Sequence, residues 1–126
     1  MNASEAAWLR ENFERAPHLI QSALDREYVR THTLDDVWNE IERGSAQLWP
    51  RGDSVCVTNI DEYPRAKILR GWLAGGDLKQ IVASEIAIRN WATRQGCDAV
   101  MLVGRRGWAR AFPGYTETHS VIMRRL

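Results

Sequence analysis

The 126-residue chain lacks the features that mark several common classes of protein. It has two cysteines, too few for a disulfide framework, and no Cys/His cluster with zinc spacing, so no metal site is expected. No apolar run reaches the ~18 residues that a membrane span needs, and no secretory signal peptide opens the chain. No run of Lys and Arg with interleaved aromatics indicates sequence-specific nucleic-acid binding. These absences predict a single globular domain of a reducing cytoplasm.

Tryptophan and the distribution of charge stand out among the features that are present. The chain has six Trp, most of which are expected to pack in the core while some could line a partner interface. Residues 1–60 carry a balance of −4 and residues 61–126 a balance of +5. This asymmetry suits self-association or an anionic ligand in the basic half, and chance variation of a solvated surface is the alternative.

Apolar periodicity, caps and turns predict a mixed α/β (α+β) fold. Asn2 or Ser4 caps a first helix, Pro17 opens a second, and Thr33 with Asp36 starts a third. The full predicted order is helices at 3–16, 17–27 and 34–43, an antiparallel meander of strands at 46–49, 54–60 and 66–74, a long helix at 78–95, a buried strand at 99–103, a short helix at 108–112, and a last strand at Tyr115–Arg124.

This order of elements resembles the GNAT fold of acyl-CoA-dependent N-acyltransferases, without its usual first strand. The sequence Gly96-Cys97-Asp98-Ala99-Val100 looks like the start of the fifth GNAT strand, and Ala109-Arg110-Ala111-Phe112-Pro113-Gly114-Tyr115 looks like the family's "YEKLGF" corner. The tail "GR-x-GW-x-R-x-x-x-GY" with an "AGGD" helix start resembles small GNAT-like proteins of tailed bacteriophages and prophages. The resemblance implies one GNAT-like domain over 1–126, with a core at 33–126 and an N-terminal helical extension at 1–32.

The resemblance also implies a place for a cofactor. Active GNATs hold the pyrophosphate of CoA on an Arg/Gln-x-x-Gly-x-Gly/Ala loop at the start of the long helix. The matching stretch here is Ala74-Gly75-Gly76-Asp77-Leu78, preceded by Leu73. The leading Arg/Gln is absent, and Asp77 adds a negative charge that can cap the helix itself. A self-capped helix without phosphate is therefore the favoured interpretation, and a pyrophosphate site is the alternative.

Catalytic candidates follow from the same resemblance. Many GNATs place a tyrosine general acid four residues before the corner glycine, where this chain has Arg110, and an arginine does not release a proton near neutral pH. Tyr115 matches a packing aromatic and is a catalytic candidate only if the protein is active. Asp61 and Glu62, in the turn before the third strand, or Glu85 on the long helix, are candidates for the general base.

Two functions are compatible with these residues. The first is a phage-encoded, catalytically degenerate GNAT-like protein without cofactor, acting in virion assembly or the virion. It would bind phage structural proteins or itself, in the host cytoplasm or virion, through Arg105, Arg106, Trp108 and Arg110. The alternative is an active N-acetyltransferase that uses acetyl-CoA on an amine substrate.

Overall fold

The computed structural model describes residues 2–104 and 107–126. Within these ranges the chain forms α1 (Ala3–Arg15), α2 (Pro17–Asp25), α3 (Leu34–Glu42), β1 (Gln47–Arg51), β2 (Ser54–Glu62), β3 (Lys67–Gly75), α4 (Leu78–Arg94), β4 (Ala99–Leu102) and α5 (Trp108–Ala111). Up to α5 this is the predicted order, with ends that differ by one or two residues.

The predicted helix starts are confirmed by their hydrogen bonds. The side chain of Asn2 caps α1 by accepting from the backbone N–H of Glu5, at 2.8 Å. Thr33 and Asp36 form a reciprocal capping box at the start of α3. Each cap satisfies backbone N–H groups that have no partner inside the helix, which is why the sequence signal is local and reliable.

The four strands described form one sheet in the order β1-β2-β3-β4. β1, β2 and β3 are antiparallel neighbours, as the meander predicts, and β4 runs parallel to β3. The parallel pair is the consequence of a crossover through α4, since a helical connection returns the chain to the same end of the sheet.

The sheet opens along β3 because of a bulge. Thr58 pairs with Gly71 and Val57 with Leu73, so Trp72 is left without a partner on β2. β4 pairs with residues 68–71 of β3 and ends at Leu102, while β3 continues to its end alone on that side. A bulge bends its strand and increases the local twist. The two strands therefore part just after Gly71 and Leu102.

Helices cover both faces of the sheet. On one face α1, α2 and α3 pack a cluster that includes Phe13, Ile20, Leu24, Val37, Ile41, Leu48, Val57 and Leu73. On the other face α4 packs Cys56, Leu69, Ile88 and Ala92. Residues 1–32, predicted as an extension, thus contribute side chains to the same core as the meander. Most tryptophans pack as expected; for example, the rings of Trp49 and Trp91 meet at 5.7 Å.

The predicted last strand at Tyr115–Arg124 is wrong. Residues 115–126 form neither helix nor strand, and the side chains after Tyr115 are exposed. A strand requires a neighbour for its N–H and C=O groups, and these residues pair with no strand of the described chain. Strand propensity indicates that a segment can adopt an extended conformation, but it does not show that a neighbouring strand is there to pair with it.

Candidate functional site

A cleft opens where β3 and β4 separate, between the sheet and α4. About 500 Å³ of space lies between its walls, and this figure includes open solvent at the mouth. We define the cleft by the residues that line it: Cys56, Thr58, Leu69, Gly71, Trp72, Leu73, Ala74, Ile81, Glu85, Ile88, Val100, Leu102, Val103, Trp108, Phe112 and Tyr115. Its walls are mostly apolar, with a few polar side chains among them.

Gly71 marks the closed end of the parting strands. A Cβ at this position would come within 2.7 Å of Cδ2 of Leu102. The absence of a side chain therefore lets the last paired residues of β3 and β4 approach each other. One residue later Trp72 bulges out and the strands diverge.

The polar centre of the cleft is a contact between Glu85 and Tyr115. The Tyr115 hydroxyl donates to Oε1 of Glu85 at 3.0 Å, and Nε of Arg89 donates to the same oxygen at 2.8 Å. The Glu85 side chain is only 12% exposed. The Tyr115 ring also meets the ring of Phe112 edge-on at 5.9 Å. Tyr115, expected as a packing aromatic, therefore both packs and carries a hydrogen bond to a carboxylate.

The environment of Tyr115 favours its protonated form. Burial raises the pKa of the phenol above its ordinary value, and the charge of Glu85 and the hydrogen bond to it raise that pKa further. The hydroxyl accordingly keeps its proton throughout the physiological range and acts there as a hydrogen-bond donor.

Glu85 lies level with the point where the strands part. It is seven residues into α4 from Leu78, which is about 10 Å along the helix axis. In β3, the residues that lie about the same ~10 Å before its end at Gly75 are Trp72 and Gly71. α4 starts directly after β3 and runs back over it, so the carboxylate faces the opening of the sheet.

The start of α4 is capped from within the chain. Oδ1 of Asp77 accepts from the Lys79 backbone N–H at 2.9 Å, as the sequence predicts. Oγ of Ser54 accepts from the Asp77 backbone N–H at 2.8 Å. Among the described hydrogen bonds, none is donated by the backbone N–H of Gly76, Leu78 or Gln80. Part of the anion-binding capacity of this helix start is thus used and part is free.

The two glycines before α4 are required by their neighbours. A Cβ on Gly75 would come within 2.9 Å of Cβ of Leu19 on α2. Gly76 has φ of +117°, and a Cβ there would collide with Ser54. Ser54 was not among the predicted site residues, because the hydrogen bond that brings it to the helix start joins positions 23 residues apart.

Two predicted base candidates lie outside the cleft. Asp61 pairs with Ile68 and Glu62 with Lys67, at the beginning of β3, three and four residues before Gly71. Oδ1 of Asp61 accepts from Nδ2 of Asn59 at 2.9 Å, and Glu62 lies 3.5 Å from Nζ of Lys67. Glu85, by contrast, lines the cleft.

The predicted interface residues have different surroundings. Arg105 and Arg106 lie outside the described residues. Arg110 is exposed on α5. The Trp108 ring packs on Phe112 at 5.7 Å and covers Gly104, where a Cβ would lie 2.5 Å from the ring. Trp108 therefore forms part of the cleft wall.

Comparison with solved structures places this architecture. A mutant form of a Thermus thermophilus protein superposes with a TM-score of 0.65 at 15% identity, over 92% of each chain. An acetyltransferase of Trypanosoma brucei gives a TM-score of 0.65 at 11% identity, over 92% of this chain and 94% of that one. The fold is GNAT-like. A protein named a probable acetyltransferase gives a TM-score of 0.63 at 8% identity, over 92% and 91% of the two chains.

These neighbours share the fold at low sequence identity. No protein-family model matches the sequence, and no curated protein matches it significantly. None of the three names refers to a phage or a virion, so the phage origin and virion role stay predictions. No helix among the described residues has the length and apolar character to cross a bilayer.

Proposed function

We propose that this protein is an N-acyltransferase that takes an acyl group from an acyl-CoA thioester and passes it to an amine. The observation that carries the proposal is the opening of the sheet at Trp72, with the Glu85–Tyr115 pair facing it across the cleft. A GNAT-like fold with a largely apolar cleft and a partly buried carboxylate has the parts that such a transfer uses.

The residues present fit such a thioester in part. Beyond Gly71, no strand of the described residues lies beside β3 on the β4 side, and the backbone groups of this edge could hydrogen-bond an extended, amide-containing arm. The free N–H groups of Gly76, Leu78 and Gln80 would hold phosphate oxygens at the start of α4. The carboxylate of Asp77 opposes this binding. When bound, the thioester supplies an activated acyl carbonyl and a thiolate leaving group.

Glu85 and Tyr115 supply the proton chemistry in this proposal. Oε1 or Oε2 of Glu85 would accept a proton from the amine nitrogen as that nitrogen attacks the acyl carbonyl. The Tyr115 hydroxyl oxygen lies 3.0 Å from Oε1 of Glu85, and Tyr115 would give its proton to the departing thiolate as the carbon–sulfur bond breaks. Glu85 would then pass the proton of the amine to Tyr115, so the pair returns to its starting state after each turnover. Burial by Phe112 and Trp108 limits the access of water.

A second candidate function is a binding protein with a GNAT-like fold and no catalysis. The observation that favours it is the self-capped start of α4. There the side chains of Ser54 and Asp77 already accept hydrogen bonds from two of the backbone N–H groups that would face a pyrophosphate. Arg110 at the acid position agrees with it. In this version the protein acts through protein contacts, as the predicted phage structural component would.

Binding of acetyl-CoA separates the two candidates. We would titrate the protein with acetyl-CoA by isothermal calorimetry and follow thermal unfolding in parallel, since a ligand of the native state raises the melting temperature. The variant Val103→Trp places a large ring at the mouth of the cleft, where Val103 is exposed. Ile86→Trp adds the same ring to an exposed position of α4 outside the cleft and serves as the control.

The acyltransferase proposal expects saturable binding that Val103→Trp weakens and Ile86→Trp leaves unchanged. It also expects thiol release from acetyl-CoA in the presence of a panel of amines, lost in Glu85→Gln. Binding without thiol release from any amine would contradict the proposed transfer and would also contradict the second candidate, which has no acyl-CoA site. Absence of both binding and thiol release would refute the acyltransferase and is the outcome that the second candidate predicts.

A further inference from the structure

The outer edge of β4 has no partner strand in the part of the chain that the structure describes. β4 pairs with β3 on one side, and no strand of residues 2–104 or 107–126 pairs with its other side. The strand is short, from Ala99 to Leu102, and carries no charged side chain that would discourage pairing. Natural proteins protect such edges, because unpaired N–H and C=O groups act as a template for another strand.

The C-terminal segment is a strand sequence without a strand partner. Residues 116–124 contain Thr116, Thr118, Val121 and Ile122, which favour extended structure, and no glycine or proline interrupts them. Ile122 is 94% exposed, and Val121, Met123 and Leu126 are exposed as well. Four large apolar side chains within six residues at the surface mark a segment that binds something.

We propose that residues 116–124 of one copy pair with the β4 edge of a second copy, and that the exchange is mutual. Both β1 and β4 are edge strands of the described sheet, but β1 contains Pro50, which has no N–H to donate. Each copy thus offers the β4 edge and one unpaired strand sequence, and two copies satisfy each other at both places in a two-fold dimer. The ladder would add main-chain hydrogen bonds and remove the apolar residues of the tail from water. The proposal is independent of the acyltransferase activity.

The contacts of the tail within its own chain favour a second copy over self-pairing. Tyr115 is held on the α4 side of the sheet by Glu85. The guanidinium of Arg125 donates to the carbonyl oxygen of Tyr28, in the loop after α2, and lies 5.0 Å from the Tyr28 ring. The segment between these two contacts makes no described backbone hydrogen bond with β4 of its own chain. Because Tyr28 is 52% exposed, losing the Arg125 contact should cost little free energy.

The test is the oligomeric state of the full chain, measured by sedimentation velocity over a range of concentrations. Successive N–H groups of a strand point to opposite sides. In the proposed ladder, therefore, the N–H of either Val121 or Ile122 points toward β4 of the second copy and donates to it, and a proline at that position removes the donor. We therefore compare Val121→Pro and Ile122→Pro with Leu126→Pro, which lies beyond the paired segment. Hydrogen exchange reports the amides of residues 99–103 and 116–124 in the same samples.

We expect a wild-type dimer with both sets of amides protected. At least one of Val121→Pro and Ile122→Pro should raise the dimer dissociation constant ~10-fold or more, because each dimer contains the change twice, while Leu126→Pro stays dimeric. A wild type that is monomeric up to its solubility limit overturns the proposal, and a monomer with protected tail amides indicates self-pairing instead. A dimer that neither proline substitution weakens also overturns it, since another surface must then hold the copies together.

Discussion

The contact between Glu85 and Tyr115 is the feature of the cleft whose energy can be worked out and measured. We predict its coupling from a double-mutant cycle of Glu85→Met and Tyr115→Phe. Methionine keeps the length of the side chain without an acceptor, and phenylalanine keeps the ring on Phe112 without the hydroxyl. The cycle therefore isolates the hydroxyl–carboxylate interaction from the Arg89 ion pair, which Glu85→Met also removes.

A hydrogen bond to a charged group contributes about 1.5–3 kcal/mol to stability. The value here should lie near or below the lower end of that range, because Arg89 still compensates the carboxylate when the hydroxyl is removed. We expect a coupling of about 1–2 kcal/mol. For a chain of this length a loss of that size in Tyr115→Phe corresponds to a fall of about 4–7 °C in melting temperature.

The assay is urea unfolding followed by tryptophan fluorescence, with the free energy of unfolding extrapolated for the wild type, both single variants and the double variant. The control cycle pairs Glu85→Met with Tyr63→Phe, because Tyr63 is exposed and has no side-chain hydrogen bond among those described. A Glu85–Tyr115 coupling no larger than that of the control would mean that the hydroxyl does not engage the carboxylate in solution. The proton relay proposed for the cleft would then lose its structural basis.

Three further outcomes are expected from other parts of the molecule. Asp77→Ser keeps a helix cap and removes a negative charge, so it should tighten acetyl-CoA binding by about 3–5-fold at low salt. Calorimetry measures this gain in affinity, which should become smaller as salt is added. Asp53→Ser, in the exposed turn between β1 and β2, is the control. Val103→Trp should lower acetyl-CoA affinity at least ~10-fold without changing the unfolding midpoint, and equal binding by wild type and variant would show that the ligand does not enter through this mouth. Burial raises the pKa of the Cys56 thiol to about 11. The unfolded chain therefore loses this proton at lower pH than the folded chain, and the free energy of unfolding falls by up to ~2–3 kcal/mol as the pH rises from about 9 to about 11. Urea unfolding of Cys56→Ala should show a smaller fall over this pH range, and an unchanged fall would contradict the assignment to Cys56.

The features that could be predicted from the sequence are those with local causes. Thr33 and Asp36 form their capping box within four residues, and Asp77 caps α4 from the adjacent position. The order of the elements and the meander likewise follow from periodicity and turns along neighbouring stretches. Local propensity, caps and pattern agree there, so the sequence has only one consistent interpretation.

The features that escaped prediction depend on residues distant in sequence. The bulge at Trp72 is defined by the register of β3 against β2, which no local pattern encodes. Tyr115 and Glu85 were separate candidates in the sequence, and their hydrogen bond joins positions 30 residues apart, so the contact between them could not be predicted. The tail after Tyr115 has the composition of a strand, but a strand exists only where a neighbour pairs with it.

Gly75 and Gly76 show that a glycine pair before a helix can serve packing within the chain. A glycine pair before a helix suggests space for a phosphate, but the space freed here is filled by Leu19 and Ser54 of the same chain. What remains for an anion is the set of backbone N–H groups without a described acceptor, beside the carboxylate of Asp77. Phosphate contact at this helix start must therefore overcome one unit of like charge, whereas the apolar cleft poses no such barrier. Affinity for acyl-CoA should accordingly depend more on the arm lying in the cleft than on its pyrophosphate, the reverse of a site built on a phosphate-binding loop.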